Sequence, residues 1–156
     1  MRSLSSSTSS PLVVVVAHHS RIGQAETLAA RVGADHVSID WESRGARWGH
    51  LQALLWASAQ RRRVWILEED AVAPTDFKAR AAEWQGRFPG DLVSGYLGRS
   101  RPPQYQSEIR RKLAAADRAG LDWITLPTLV HGVCYSLPHD ALRGSVRTLP
   151  QGPADY

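Results

Sequence analysis

Leu12-Val13-Val14-Val15-Val16-Ala17 is an unbroken apolar run, four of its residues β-branched, with no polar alternation. A run this short and rich in valine is the pattern of a strand covered on both faces, as strands of parallel sheets usually are. Outward from it, the Ala- and Leu-rich stretch Ile22–Val32 followed by Gly33 predicts a helix with a glycine stop. His36–Asp40 reads as a second short strand. Residues 45–60 read as a helix in which Trp48, Leu51, Leu55 and Ser58/Ala59 recur at three-to-four spacing. A third strand over residues 64–67 runs straight into Glu68-Glu69-Asp70. Asp76 is placed to cap a helix through about residue 85. A fourth strand is expected over 91–97, then a helix over 105–119 ended by Gly120. Extended pieces at 123–126 and 130–137 lead to a short helix opened by Pro138. Strands alternating with helices predict an α/β fold, a mostly parallel central sheet with right-handed crossovers.

The 156 residues suffice for one core, taken here as residues 12–156. Hydrophobic residues at 43% and charged residues at 22% exclude disorder throughout. No apolar stretch approaches the roughly 20 residues of a membrane helix, so no membrane partner is expected. Residues 1–11 are rich in serine and predict a flexible tail; with no apolar leader in them, the expected location is cytoplasmic. The sequence stops at Ala154-Asp155-Tyr156, just after a Pro/Gly turn, which reads as a C-terminally short domain. One cysteine, Cys134, excludes an internal disulfide and a Cys-rich zinc site; in an apolar strand it reads as a small buried hydrophobe. A net charge of +4 favours anionic ligands. No P-loop or GxGxxG occurs, and no aromatic interleaving marks a nucleic-acid module, so direct nucleic-acid binding is not expected.

The acidic triplet carries the most chemistry. Consecutive carboxylates at the end of a buried strand repel one another and gain nothing from desolvation. In extended chain Glu68 and Asp70 share a face, and two oxygen donors on one face suit a hard divalent cation such as Mn²⁺ or Mg²⁺. The plainer alternative is a solvated acidic turn leading into the next helix. His18-His19-Ser20-Arg21 follows the first strand and Asp40 ends the second, so both reach the crevice where α/β sheets bind ligands. There Arg21 would face a phosphate or a base, Asp40 a ribose hydroxyl, and Trp41 a base plane.

Gly45-Ala-Arg-Trp-Gly49-His50-Leu51, then Trp56, then Val64-Trp-Ile-Leu-Glu-Glu-Asp-Ala71 resemble glycosyltransferase family 25, the lipooligosaccharide and collagen galactosyltransferase type. That family shows a Gly-x-x-x-(Ser/Gly)-His-Leu helix followed by a strand ending in Glu-Asp-Asp. His131-Gly-Val-Cys-Tyr135-Ser-Leu and Pro153-Ala-Asp155 look like its later motifs, in the same order. Ser94-Gly-Tyr-Leu-Gly98 and Arg101-Pro-Pro-Gln104 are similar to small phage-borne and bacterial glycosyltransferase-like proteins. The resemblance covers roughly residues 13–156.

The resemblance implies a GT-A fold and transfer of a sugar from a nucleotide-diphosphate donor, a UDP-sugar above all, to a hydroxyl of a glycan, protein or modified base. It implies a cation on Glu68 and Asp70 at the departing diphosphate, with His18, Arg21, Asp40 and His50 around the donor. Asp155 would accept the acceptor's proton if the anomeric centre inverts. His131 is the other candidate for base, or a third metal ligand. Two other readings stay open: a catalytically incomplete nucleotide-sugar-binding domain, and a generic nucleotide- or DNA-associated α/β protein. Arg61-Arg62-Arg63 reads as a solvated helix end, and Arg110-Arg111-Lys112 as a solvated helix face.

Overall fold

A computed structural model describes residues 10–142; most of the Ser-rich tail and Asp155 lie outside the described residues. Strand β1 (Leu12–His18) is flanked by β2 (His36–Asp40) and β3 (Val64–Glu68), both parallel to it. Beyond β3 lie β5 (Cys134–Leu137) and, at the edge, β4 (Val93–Ser94), giving the order β2-β1-β3-β5-β4. The helices are α1 (Ile22–Val32), α2 (Ala46–Ala59), α3 (Phe77–Arg87) and α4 (Pro103–Ala119). A single 3-10 turn, His19–Arg21, links β1 to α1.

The class is α/β, as the alternation predicts, but the sheet is mixed rather than mostly parallel. β5 runs antiparallel to both of its neighbours, so half of the pairings are antiparallel. A short apolar run reads the same in either direction. Its direction was set by where the chain re-enters the sheet after α4 and residues 120–133. The expected fourth strand shrinks to two residues, because the Ser94 hydroxyl bonds the Tyr96 carbonyl and turns the chain away from the ladder. Residues 123–126, expected as extended strand, pair with no strand among the described residues.

β1 shows why this sheet is covered twice. Val13, Val15 and Ala17 face α1 and α3, meeting Ala25, Leu28, Phe77 and Ala81. Leu12, Val14 and Val16 face α2, meeting Ala53, Leu54 and Ala57. The face that α2 buries differs from the expected one. Gly49, Ala53 and Ala57, four residues apart, lie against the sheet with Leu54, while Leu55 is exposed. Small side chains let the helix settle closely on a surface of valines, and a Cβ at Gly49 would already touch Val16 at 3.6 Å. The large residues that suggested the stripe sit at its flanks: Trp56 stacks on His36, and Trp48 lies under the Arg44 guanidinium.

Arg63 also departs from the solvated end read for residues 61–63. Its Nε donates to Ser136 Oγ at 2.7 Å, and its guanidinium nitrogens donate to the Phe88 and Asp91 carbonyls, each at 2.6 Å. This one side chain ties the end of α3 and the approach to β4 onto β5. Replacing it strands several acceptors at once. Arg63→Ala is expected to lower unfolding free energy by about 1.5–3 kcal/mol. Arg110→Ala, on the exposed face of α4, is expected to change it by less than about 0.5 kcal/mol, both read by urea denaturation.

Candidate functional site

The carboxyl ends of β1, β2 and β3 open into one cleft of about 290 Å³, reached also by the start of α2. His18, Arg21, Asp40, His50, Glu68 and Asp70, the described residues of the expected constellation other than His131, all line it. Parallel pairing of three consecutive strands brings them together, since each strand ends at the same edge of the sheet.

Asp40 is 3% exposed, and its two oxygens accept from the backbone N–H groups of Arg44 (3.0 Å) and Gly45 (2.8 Å). Burial alone would raise its carboxyl, but these amides, with that of Glu42, outweigh it and hold the group below its ordinary value. Asp40 thus gives an acceptor from each oxygen to the loop that launches α2, while remaining in the lining of the cleft. Trp41 beside it is exposed and lies outside the cleft lining. His18 is also engaged: its Nδ1 accepts from the Ser20 backbone N–H at 3.2 Å, which leaves Nε2–H to donate to Ser43 Oγ at 3.0 Å.

The three carboxylates have three different surroundings. Glu68 Oε1 accepts from His50 Nε2 at 3.0 Å, and His50 Nδ1 lies 3.0 Å from the Tyr135 hydroxyl. A carboxylate only accepts, so His50 Nε2 carries the hydrogen, and whenever the ring is neutral its Nδ1 accepts from Tyr135 O–H. The hydrogen bond from His50 holds Glu68 below the usual carboxylate range against the opposing effect of burial, with His50, His131 and Arg21 adding electrostatic support. Burial, reinforced by Glu68, pushes the Tyr135 phenol upward, so it stays an O–H donor. Glu69 accepts from Arg21 Nη1 at 2.8 Å, a pair half open to solvent on the arginine side. Asp70 is exposed and has no hydrogen bond or ion pair among the described residues.

His50 is thus a support for Glu68 rather than a free donor contact. Tyr135 and Gly132 are site residues that the carboxylate spacing missed. The family-like His131–Leu137 segment contained both, but only the β3–β5 register, which sets Tyr135 opposite Ile66, showed their place. A Cβ on Gly132 would lie 3.4 Å from both Glu68 Oε1 and His50 Cε1, so the backbone passes close over this pair. His131 donates from Nε2 to the Arg101 carbonyl at 2.6 Å and meets Tyr96 edge-on, so that nitrogen is committed to the loop beside the site. Cys134 is buried, and its thiol is pushed up to about 12, consistent with an inert hydrophobe.

Oxygen donors of this kind suit a hard divalent cation. Yet His50 holds Glu68 and Arg21 holds Glu69. Among the described residues no group of three or more His, Cys, Asp or Glu side chains is placed to hold an ion. A cation on the expected Glu68–Asp70 pair would need water or phosphate oxygens to complete its shell. No helix among the described residues is long and apolar enough to cross a membrane.

Asp40 makes the loop testable by pH. Its folded value is depressed, so its contribution is complete above the unfolded value of 3.8 and is lost as pH falls through the lower folded one. Asp40→Asn is expected to cost about 1–3 kcal/mol near neutral pH and to flatten the loss of stability in acid, followed by urea denaturation across pH. Comparison of the chain with family models, curated proteins and solved structures gives no match.

Proposed function

We propose that this chain binds the diphosphate and nucleoside of a nucleotide-sugar donor in the cleft at the ends of β1–β3 and transfers the sugar to an acceptor hydroxyl. The observation that supports this reading is the convergence of Arg21, Glu68, Glu69 and Asp70 on one cleft at the carboxyl edge of the sheet, the usual ligand position of α/β folds. The family 25 resemblance supplies the GT-A expectation and the donor class, a UDP-sugar first.

Arg21 is the arginine in the cleft lining. It has further N–H groups beyond the one given to Glu69, and a planar guanidinium suits diphosphate oxygens. The His50–Tyr135 support keeps Glu68 ionised and fixed in direction, so its position is set before substrate arrives. Asp70 is the unengaged carboxylate and takes the acceptor proton in this proposal. The acceptor oxygen bonds to the anomeric carbon as the bond from that carbon to the diphosphate breaks, and the electron pair leaves with the diphosphate. His131 is not assigned the base role, because its Nε2 is given to Arg101.

A binding-only reading is favoured by one observation. His50 holds Glu68 and Arg21 holds Glu69, so two of the three carboxylates at the cleft are already engaged within the chain. Thermal shifts with a panel of nucleotide sugars, with and without Mn²⁺ or Mg²⁺, test donor binding, and product analysis separates the two readings. Selective stabilisation by one donor with transfer supports the enzyme, whereas stabilisation with neither transfer nor donor hydrolysis supports the binding domain. No stabilisation by any donor rejects both.

Asp70 gives the sharper test, because a side chain with no contact has no contact to lose. Asp70→Asn is expected to leave unfolding free energy within about 0.5 kcal/mol and to lower turnover by at least about 100-fold. Unchanged turnover would remove Asp70 from the chemistry.

A further inference from the structure

His19 and Ser43, which the donor reading leaves aside, meet His18 beside the cleft. His18 closes β1 and His19 begins the 3-10 turn, so the chain bends between them. The bend brings successive rings together, with centroids 4.1 Å apart and planes inclined by 38°. Both Nε2 atoms converge on one hydroxyl: Ser43 Oγ, in the loop between β2 and α2, lies 3.0 Å from each. One hydroxyl serves two imidazoles by accepting from one and donating to the other. Here it accepts from His18 Nε2–H and gives its own hydrogen to His19 Nε2.

The loop reaches this point at a backbone cost. Ser43 has φ 56°, the left-handed region that residues with a side chain avoid. Strained positions of this kind cluster at binding and active sites. Asp40 accepts from the next two amides, those of Arg44 and Gly45, which holds Ser43 at the rings.

We infer that His18 and His19, with Ser43, form a binding site for a late first-row divalent metal ion, of the Ni²⁺, Cu²⁺ or Zn²⁺ class. Imidazole nitrogens suit these ions, whereas Mg²⁺ and Mn²⁺ take oxygen donors. Donors about 2.1 Å from one ion and at right angles to each other lie about 3 Å apart. Both nitrogens keep that spacing from Ser43 Oγ. The ion takes the place of the hydrogen on His18 Nε2. That hydrogen then sits on Nδ1 and donates to Ser20 Oγ at 2.7 Å, the kind of outer hydrogen bond that orients a metal-bound imidazole. No third His, Cys, Asp or Glu joins the set among the described residues, so water takes the other positions and the site is open. Neither Glu68 nor Asp70 takes part. A bound ion ties the end of β1 to the β2–α2 loop.

The test is calorimetric titration of the whole, untagged chain with nickel chloride, together with EPR of its Cu²⁺ complex, whose superhyperfine pattern counts coordinated nitrogens. One Ni²⁺ per chain is expected, with two nitrogens on Cu²⁺. His18→Ala and His19→Ala are each expected to weaken Ni²⁺ binding at least about tenfold and to leave one nitrogen on Cu²⁺. Asp70→Asn is expected to change neither result. His19 is exposed, so its variant reads binding rather than folding. The inference is overturned if Ni²⁺ does not bind at submillimolar concentration or if either histidine variant binds as wild type does. It is overturned equally if Asp70→Asn abolishes binding, which would move the ion to the carboxylates.

Discussion

Everything in this molecule is arranged around β1, a strand with hydrogen-bonded neighbours on both edges and helices over both faces. Val13, Val14 and Val15 are fully buried, and each such side chain contributes about 1.5–3 kcal/mol. The strand's carboxyl end stays paired, His18 with Asp40 and Val16 with Glu68. His18 and Arg21 extend from that end, and the Glu69 N–H bonds back to the Val16 carbonyl at 3.0 Å. The cleft is therefore built at the end of a buried strand paired on both edges, and sites on such elements hold charged groups in register better than sites on loops.

Around the cleft, polar groups spend much of their hydrogen-bonding capacity on one another. Asp40 organises its own loop, His50 and Tyr135 hold Glu68, and Arg21 holds Glu69. Buried polar networks are tolerated only when nearly complete, and this one is, except at its mouth. At that mouth the Asp70 carboxylate makes no hydrogen bond or ion pair among the described residues. Stability and chemistry are thus assigned to different residues within a few positions of one another on β3 and just past it.

The family 25 resemblance and the physical reading agree on the same segments but weight them differently. The resemblance makes the acidic triplet a cation site. The geometry divides the triplet into a supported, a paired and an unengaged carboxylate. The charge run at a helix end left Arg63 as one of three solvated arginines, yet it anchors the end of α3 and the approach to β4 onto β5. Nothing in a run of three arginines says which of them meets carbonyls.

By itself, the sequence determined the features whose physics is local. The valine run could only be a doubly covered strand. Gly33 and Gly120 end α1 and α4 in the left-handed conformation that glycine adopts freely. The ends of β1, β2 and β3 were readable because an apolar run that gives way to polar residues marks its own boundary. Tertiary structure decided what depends on partners distant in the chain. The direction of β5 followed from where a long connection re-enters the sheet. The buried face of α2 was chosen by close approach to valines, so small residues won over Trp48 and Leu55. The separate fates of Glu68, Glu69 and Asp70 were set by His50, Tyr135 and Arg21, and a carboxylate's neighbours across a fold are written nowhere in its own stretch of sequence.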